Sequence, residues 1–267
     1  MWKWEAEDQP KAVVAIIHSA YEQHRWYAWL IEKLRSAGFH VVMGDLPGHG
    51  EMSKYARYHD EEFSDYSKYT KQLLNVALVY NLPLFIIGNG LGATIAMHVL
   101  QKKKIECAGL VLTSPWLHLK LAPGKMSSAL TSLSAITSNV KIKHELTMQH
   151  FTRNVDIYKE MNEHFPLNNT VTVKWYRDIQ QSMRQLRDPE WLLPNMPLLL
   201  MTGRNDKVVD NTVTKQWLMQ QKLSEFQYKE WPDSLHCLYF EMEREDVYRY
   251  TKDFMENVLR SLGYIIE

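Results

Sequence analysis

The sequence predicts an α/β protein with a mostly parallel central sheet, helices on both faces and a helical insertion near its middle. Short apolar runs alternate with stretches of helical periodicity, which is typical of parallel sheets covered by helices. A glycine-rich turn at 88–92 joins one predicted strand to a helix. The strand pattern then stops over 116–191 and returns afterwards.

Buried strands are predicted in the first part of the chain where β-branched and apolar residues form short runs. These runs cover 12–17, 39–43, 84–87 and 108–112. Helices are predicted between them because apolar residues recur at helical spacing, and the first helix ends at Gly38. The helical ranges are 24–37, 63–80 and 91–101.

The last part of the chain returns to the same alternation. Strands are predicted at 197–202 and 226–231, and helices at 212–223 and 245–262. The interval 116–191 contains helix-like pieces such as 173–186 but no buried strand run. Insertions of this length commonly cover a site at the carboxyl ends of the strands. We therefore expect a core formed by 1–115 and 192–267, and a helical cap or lid formed by 116–191.

Composition excludes several classes of protein. The 267 residues are 45% hydrophobic and carry 31 basic and 31 acidic side chains, so the chain is neither disordered nor a nucleic-acid binder by charge. The short basic run 102–104 is better explained as a solvated helix end. Cys107 and Cys237 form no disulfide or metal motif, and no run is apolar enough for a transmembrane segment. We expect a cytoplasmic protein that uses no metal and no cofactor.

The turn Gly88-Asn89-Gly90-Leu91-Gly92 has the spacing of a nucleophile elbow. Such an elbow needs small residues two before and two after its tip, and its tip lies at positive φ. Gly90 suits that tip but supplies no nucleophile. A phosphate-binding turn is the rival interpretation, yet it requires the first strand of the sheet, whereas this turn follows roughly the third.

Two later loops carry an acid and a histidine in the order that this elbow demands. Asp206 follows the strand predicted to end at Thr202, and His236 follows the strand predicted to end at Trp231. In such folds the nucleophile, the acid and the histidine occur in that order, with the carboxylate orienting the imidazole. Taken singly, Asp206 could be a turn residue and His236 a surface histidine. Because both residues occur in the expected order and on the expected loops, we favour the interpretation that they derive from a catalytic triad.

On these residues the chain resembles the α/β-hydrolase group of monoacylglycerol lipases and YtpA-like lysophospholipases. The resemblance covers nearly the whole chain. Its main motifs are IIHSAYEQH at 16–24, HVVMGDLPGHG at 40–50, IIGNGLGA at 86–93, PLLLMTGRNDKVVD at 197–210 and LHCLYFEMEREDV at 235–247. It implies an α/β-hydrolase fold, hydrolysis of fatty acyl esters through a serine, and a small acyl ester or lipid-like ligand. It also implies Asp206 as acid, His236 as base, and the N–H groups of Ala20 and Leu91 as an oxyanion hole beneath the cap.

The departures from the family pattern concern the nucleophile and the oxyanion loop. Gly90 stands where the family has its serine, Asn89 replaces a histidine, and Ser19 replaces the glycine that follows His18. In a serine protease, loss of the nucleophile costs roughly 10⁶ in kcat. We therefore expect a hydrolase impaired at Gly90, or a non-catalytic protein that binds an apolar ligand under the cap.

Three routes to residual activity remain open from the sequence. Ser19 or Cys237 could replace the missing nucleophile, or His236 could activate a water molecule directly. A Gly90→Ser variant is the repair that the sequence suggests.

Overall fold

The computed structural model describes residues 1–50, 58–102, 105–120, 139–164 and 170–266. The strands of these residues are β1 (Trp2–Trp4), β2 (Ala12–Ile17), β3 (Phe39–Met43), β4 (Leu84–Asn89), β5 (Gly109–Thr113), β6 (Lys141–Lys143), β7 (Thr170–Thr172), β8 (Leu198–Gly203) and β9 (Phe226–Trp231). The main sheet has the order β1-β3-β2-β4-β5-β8-β9, and every pairing in it is parallel except that of β1 with β3. This is the α/β fold with a mostly parallel sheet that the sequence predicts.

Among the described residues, some helices flank this sheet and others belong to the insertion. They are α1 (Ala28–Ser36), α2 (Phe63–Leu78), α3 (Leu91–Lys102), α4 (Met148–Phe151), α5 (Val155–His164), α6 (Val173–Leu186), α7 (Asn211–Gln220) and α8 (Arg244–Ser261). The helices α1 and α8 contact each other, α2 contacts α3, and both pairs contact the sheet. Every residue of β2, β3, β4, β5 and β8 is buried. This burial explains their continuous apolar sequences.

The ends of the predicted elements agree with the structure within a few residues, which is the usual uncertainty of such boundaries. Some differences are larger. The predicted helix 24–37 begins as a 3₁₀ turn, His24–Tyr27, before α1. The short edge strand β1 was not predicted, because its three residues include an exposed lysine and give no period to recognise. Its presence makes β4 the fourth strand of the chain rather than roughly the third.

The insertion between β5 and β8 contains α4, α5 and α6 and a small antiparallel ladder of β6 with β7. The ladder was not predicted, since each strand has three residues and few apolar side chains. The backbone of His59 joins the insertion to the core: its N–H donates to Thr170 O and its carbonyl accepts from Thr172 N. Lys103, Lys104 and the small-residue stretch 127–138 lie outside the described residues. No helix within the described ranges is long and apolar enough to cross a membrane.

Candidate active site

The turn after β4 has the backbone shape of an elbow. Gly90 lies at φ +50°, its N–H donates to Thr113 O at 2.9 Å, and its carbonyl accepts from Trp116 N at 3.2 Å. A Cβ on Gly92 would lie 2.2 Å from Ile17 O, so only glycine fits where α3 passes β2. The small residues of the motif therefore follow from close approach of the backbone.

The hydroxyl of Ser19 lies in the space that a nucleophile on the elbow would occupy. A Cβ added to Gly90 would lie 2.1 Å from Ser19 Oγ, 2.9 Å from Ser19 Cβ and 3.1 Å from His236 Nε2. Ser19 is fully buried, and its Oγ accepts a hydrogen bond from Leu91 N at 3.0 Å. The two departures from the family pattern are therefore in contact: one removes a hydroxyl from position 90, and the other brings a hydroxyl to the same place.

Asp206 and His236 form a buried hydrogen-bonded pair. His236 Nδ1 and Asp206 Oδ2 are 2.8 Å apart, and both side chains have no exposed surface. The other carboxylate oxygen, Oδ1, accepts from Val208 N at 2.7 Å and Val209 N at 3.0 Å, so the loop after β8 fixes the carboxylate. The carboxylate in turn orients the ring with Nδ1 as donor and Nε2 as acceptor. The pair is thus set for base chemistry at Nε2.

Trp116 is a member of the site that sequence reasoning missed. Its indole Nε1 lies 3.2 Å from His236 Nε2 and donates to it, and the ring is fully buried. The nitrogen that would accept a proton is therefore already an acceptor of a protein hydrogen bond. A signal was present in the sequence, because Trp116 follows β5 and the carboxyl ends of parallel strands meet at one edge of the sheet.

A second buried carboxylate, Glu22, holds the loop that carries Ser19. Its Oε2 accepts from Ser19 N at 2.7 Å and from Tyr27 Oη at 2.6 Å. Its Oε1 accepts from Asn89 Nδ2 at 2.8 Å and Cys237 Sγ at 3.1 Å. Burial, together with Glu22, raises the pKa of the Cys237 thiol well above its usual range. Cys237 is therefore an unreactive hydrogen-bond donor and a poor substitute nucleophile.

His18 and Ala20 flank Ser19. His18 Nε2 accepts from Leu46 N at 2.8 Å, so Nδ1 is left to donate to Ser19 O at 2.7 Å. Burial lowers the pKa of His18, which keeps the ring neutral. Ala20, the second oxyanion donor implied by the resemblance, lines a small apolar cavity. The next residue, Tyr21, has φ +67°, a strained conformation for a bulky side chain.

The structure thus brings Gly90, Leu91, Ser19, Asp206 and His236 to one edge of the sheet. Asn89 lies beside them but bonds to Glu22 rather than to the Asp206–His236 pair. Among the residues that the structure describes, no group of His, Cys, Asp and Glu side chains has the geometry of a metal site.

A parallel sheet flanked by helices, an elbow after an inner strand, and an acid–histidine pair on later loops define the α/β-hydrolase class. The family model described as serine aminopeptidase S33 matches residues 8–243, and the chain belongs to that hydrolase family. The chain is also 34% identical to phospholipase YtpA of Bacillus subtilis over 261 residues, which is 97% of this chain and all of that protein. The resemblance to YtpA-like proteins is thereby confirmed.

Other relatives and solved structures support the same grouping. Human monoglyceride lipase is 26% identical over 222 residues, which covers 78% of this chain and 69% of that one. The crystal structure of Paleococcus ferrophilus monoacylglycerol lipase superposes with a TM-score of 0.80 at 20% identity, covering 96% of this chain and 98% of the other. The Saccharomyces cerevisiae monoglyceride lipase structure gives 0.81 at 18% identity, covering 96% and 90%. These two structures support the fold.

Proposed function

We propose that this chain carries the machinery of a fatty acyl ester hydrolase of the lysophospholipase and monoacylglycerol lipase type, with its nucleophilic step lost. In this proposal Asp206 is the acid that orients His236, and His236 is the base. The N–H groups of Ala20 and Leu91 are the oxyanion donors. The names of the relatives, a phospholipase and several monoglyceride lipases, support the substrate class.

One observation carries the proposal of impairment: Ser19 Oγ lies 2.1 Å from the Cβ that Gly90 lacks. A serine on the elbow would fit only if the Ser19 hydroxyl rotated away and its Cβ shifted slightly. The two departures from the family pattern therefore meet at one point of the site. Nucleophilic catalysis needs a hydroxyl hydrogen-bonded to its base, but Ser19 Oγ, which accepts from Leu91 N, makes no hydrogen bond to His236 in the structure.

The groups that would act on an ester are occupied by the protein itself. An oxyanion donor must point to where the carbonyl oxygen will lie, but the Leu91 N–H points to Ser19 Oγ. A base must offer a free lone pair, but His236 Nε2 accepts from Trp116. An ester bound here would find neither group free, which supports slow or absent turnover.

We further propose that 116–191 acts as a cap over this edge of the sheet. The part of it that the structure describes contacts the loop bearing His236: Phe151 O accepts from Cys237 N at 2.8 Å, and Thr152 Oγ1 donates to Phe240 O at 2.8 Å. Leu146, Met148 and Phe151 of this segment are buried. An apolar, inward-facing cap suits an acyl chain.

The test exchanges the two coupled residues. The parent, Gly90→Ser, Ser19→Gly and the double variant Ser19→Gly/Gly90→Ser are assayed on p-nitrophenyl butyrate, monoacylglycerol and lysophosphatidylcholine, and each is treated with a fluorophosphonate. We expect only the double variant to turn over rapidly and to take the label at position 90. Gly90→Ser alone retains the clash with Ser19, and Ser19→Gly alone has no nucleophile, so the two single variants are matched controls.

The outcomes separate the parts of the proposal. Labelling of the parent at Ser19 would show a relocated nucleophile, and the claim of impairment would be wrong. A double variant that keeps the parent's circular dichroism spectrum and melting temperature but hydrolyses none of the three substrates would show that the acid, base and oxyanion groups are not a working set.

The second candidate is a non-catalytic protein that binds an apolar ligand under the cap. Leu91 N donates to Ser19 Oγ and His236 Nε2 accepts from Trp116, and these bonds favour the second candidate. The polar groups of the site have partners within the protein and need none from a substrate. A binder keeps its affinity for a non-hydrolysable monoalkyl glycerol ether when His236→Ala is introduced. A slow enzyme loses its remaining turnover with the same change.

A further inference from the structure

Tyr21 lies where the loop that carries Ser19 meets the proposed cap. Its ring is partly buried and packs against the hydrophobic core. Four rings from four other segments of the chain lie around it, with centroid distances of 4.7 Å to His144, 5.2 Å to His59, 6.2 Å to Trp175 and 6.5 Å to Trp116. One side chain therefore packs against the cap, the segment before α2 and the candidate active site at the same time.

The backbone of Tyr21 lies in the left-handed region, at φ +67°. This region is unfavourable for a bulky side chain, so such a conformation persists only where the surrounding structure enforces it. Two of the surrounding rings, those of His144 and Trp175, belong to the proposed cap. The cap therefore helps to hold a strained turn in the loop that carries Ser19 and Ala20.

Both contacts that occupy the candidate active site are connected to Tyr21. Ser19, whose Oγ accepts from Leu91 N at 3.0 Å, lies two residues before Tyr21, so the turn at Tyr21 directs the segment that carries this hydroxyl. Trp116, which donates to His236 Nε2 at 3.2 Å, has its ring beside that of Tyr21. The loop and the indole are therefore held by the same side chain.

We propose that Tyr21 is a positioning residue that couples the cap to the candidate active site. With the cap in place, its two rings hold the ring of Tyr21, the strained turn is kept, and Ser19 and Trp116 stay on their hydrogen-bond partners. When the cap moves away, Tyr21 relaxes out of the left-handed region, and the Leu91 N–H and His236 Nε2 become free for a ligand. The site is that of the proposed function, on which this inference rests.

Hydrogen exchange of the full chain, followed residue by residue by NMR, tests the coupling. The reporters are the backbone N–H groups of Ser19 and Leu91 and the indole N–H of Trp116, each of which donates to another group of the site. In Tyr21→Ala we expect all three to exchange at least about tenfold faster, because the strain remains while the ring that enforced it is gone. Exchange needs no turnover, so this inference and the proposed function can fail separately.

Two control variants show whether the ring at this position is responsible. Tyr21→Phe keeps the ring and should leave the three exchange rates within about twofold of the parent. Tyr250→Ala removes another half-buried tyrosine, whose ring on α8 packs against Trp231, and should also leave the reporters within about twofold. A tenfold increase in Tyr250→Ala would show that the reporters respond to any loss of packing, and the coupling would be wrong.

Tyr21→Gly separates strain from simple loss of packing. Glycine adopts the left-handed region without strain, so the loop keeps its course more easily with glycine than with alanine. The Leu91 N–H should therefore exchange more slowly in Tyr21→Gly than in Tyr21→Ala. A side chain that only fills space would give the opposite order, because glycine is the more flexible residue, and that order would overturn the positioning role.

Coupling between two regions is reciprocal, so a change in the cap should reach the loop. His144→Ala removes the ring nearest to Tyr21 and should speed exchange of the Ser19 and Leu91 N–H groups at least about threefold. Tyr158→Ala, a change on the cap helix α5, should leave both rates within about twofold. His144→Ala also tests the coupling if Tyr21→Ala does not fold.

Two further results would overturn the coupling. Unchanged reporters in Tyr21→Ala, with the circular dichroism spectrum and melting temperature of the parent, would show that the ring does not hold the site. Faster exchange that extends equally to the buried strand β4, for example at Ile86, would show a general loss of stability.

Discussion

The two sides of the candidate site differ in how far they depart from a working hydrolase. On the base side, Asp206 and His236 keep a buried 2.8 Å hydrogen bond, and backbone N–H groups fix the carboxylate. On the nucleophile side, the elbow keeps its backbone shape, but its hydroxyl is on Ser19 instead of residue 90. The comparison teaches that the backbone shape of the elbow does not depend on a hydroxyl at residue 90.

Each side is organised around one buried carboxylate with a different task. Asp206 orients one imidazole and two backbone donors, whereas Glu22 accepts from Ser19, Tyr27, Asn89 and Cys237. The first arrangement leaves His236 Nε2 facing Gly90, where it accepts from Trp116. The second only holds the chain. Glu22 therefore supports the loop around Ser19, whose hydroxyl lies next to Gly90.

The largest expected effect tests whether the nucleophile side and the base side can work together. In the Ser19→Gly/Gly90→Ser background, His236→Ala should remove the recovered turnover by at least about 10³-fold, because nucleophile and base act as a unit. In the parent, the same change should remove only the slow turnover that His236 supplies by activating water, because the elbow carries no serine that depends on the base. Initial rates with p-nitrophenyl butyrate measure both. A similar loss in both backgrounds would mean that the parent already uses His236 for catalysis.

The next effect tests the carboxylate of the nucleophile side. Glu22→Gln should lower the free energy of unfolding by about 3 kcal/mol, because an amide NH₂ would face two of the four buried donors. Urea denaturation measures it. Glu32→Gln, at an exposed position of α1, breaks a surface ion pair with Arg35 and should cost less than about 1 kcal/mol. Equal effects of the two substitutions would show that the Glu22 network adds little stability.

The sequence predicts the core of this fold well because its inner strands are buried on both faces. A run such as Val-Val-Ala-Ile-Ile in β2 indicates an inner strand of a parallel sheet that is covered on both faces. The edge strand β1 and the ladder of β6 with β7 carry no such signal, because each is three residues long and partly exposed. They form because backbone N–H and C=O groups of neighbouring segments need hydrogen-bond partners. Side-chain patterns in the sequence do not reveal which backbone groups will pair.

The site was predictable as a set of positions but not as a set of contacts. Gly90, Asp206 and His236 follow from chain order and loop placement, and Ser19 was recognised as an unusual side chain. That Ser19 Oγ fills the space above Gly90 depends on the distance between two loops that are 71 residues apart (90 − 19). The same is true of the bond from Trp116 to His236. For this reason Gly90→Ser alone, the repair suggested by the sequence, is expected to fail.

A third prediction concerns a row of buried histidines in which the ring of His18 contacts that of His49 and the ring of His49 contacts that of His59. Burial lowers the pKa values of His18 and His49, and lowers that of His59 from 6.5 to about 4. The unfolded chain therefore takes up protons as the pH falls through 6.5, while the folded chain resists them. Stability is complete above pH 6.5 and declines toward pH 4. For His59 alone the loss between pH 7 and pH 5 is about 2 kcal/mol.

A single substitution isolates that contribution. His59→Phe keeps an aromatic ring against Tyr21 and Trp175 and should remove about 2 kcal/mol from the difference in unfolding free energy between pH 7 and pH 5. His118→Gln, an exposed change, should leave that difference as it is. An unaltered pH dependence in His59→Phe would place the acid sensitivity elsewhere, with the base side as the next region to test.

The smallest expected effect concerns the hydrogen bond from Trp116 to His236 on the base side. Trp116→Phe removes the donor to His236 Nε2 but keeps an aromatic ring in the site. Since a hydrogen bond contributes about 1 kcal/mol net, its loss should raise water-mediated hydrolysis of activated esters by roughly fivefold. Trp175→Phe is the matched control, because its buried indole donates to Tyr66 Oη at 2.8 Å instead. The increase should vanish when His236→Ala is added. An increase that persists there would mean that water reaches the ester without the imidazole, and the base side would then be as inactive as the elbow.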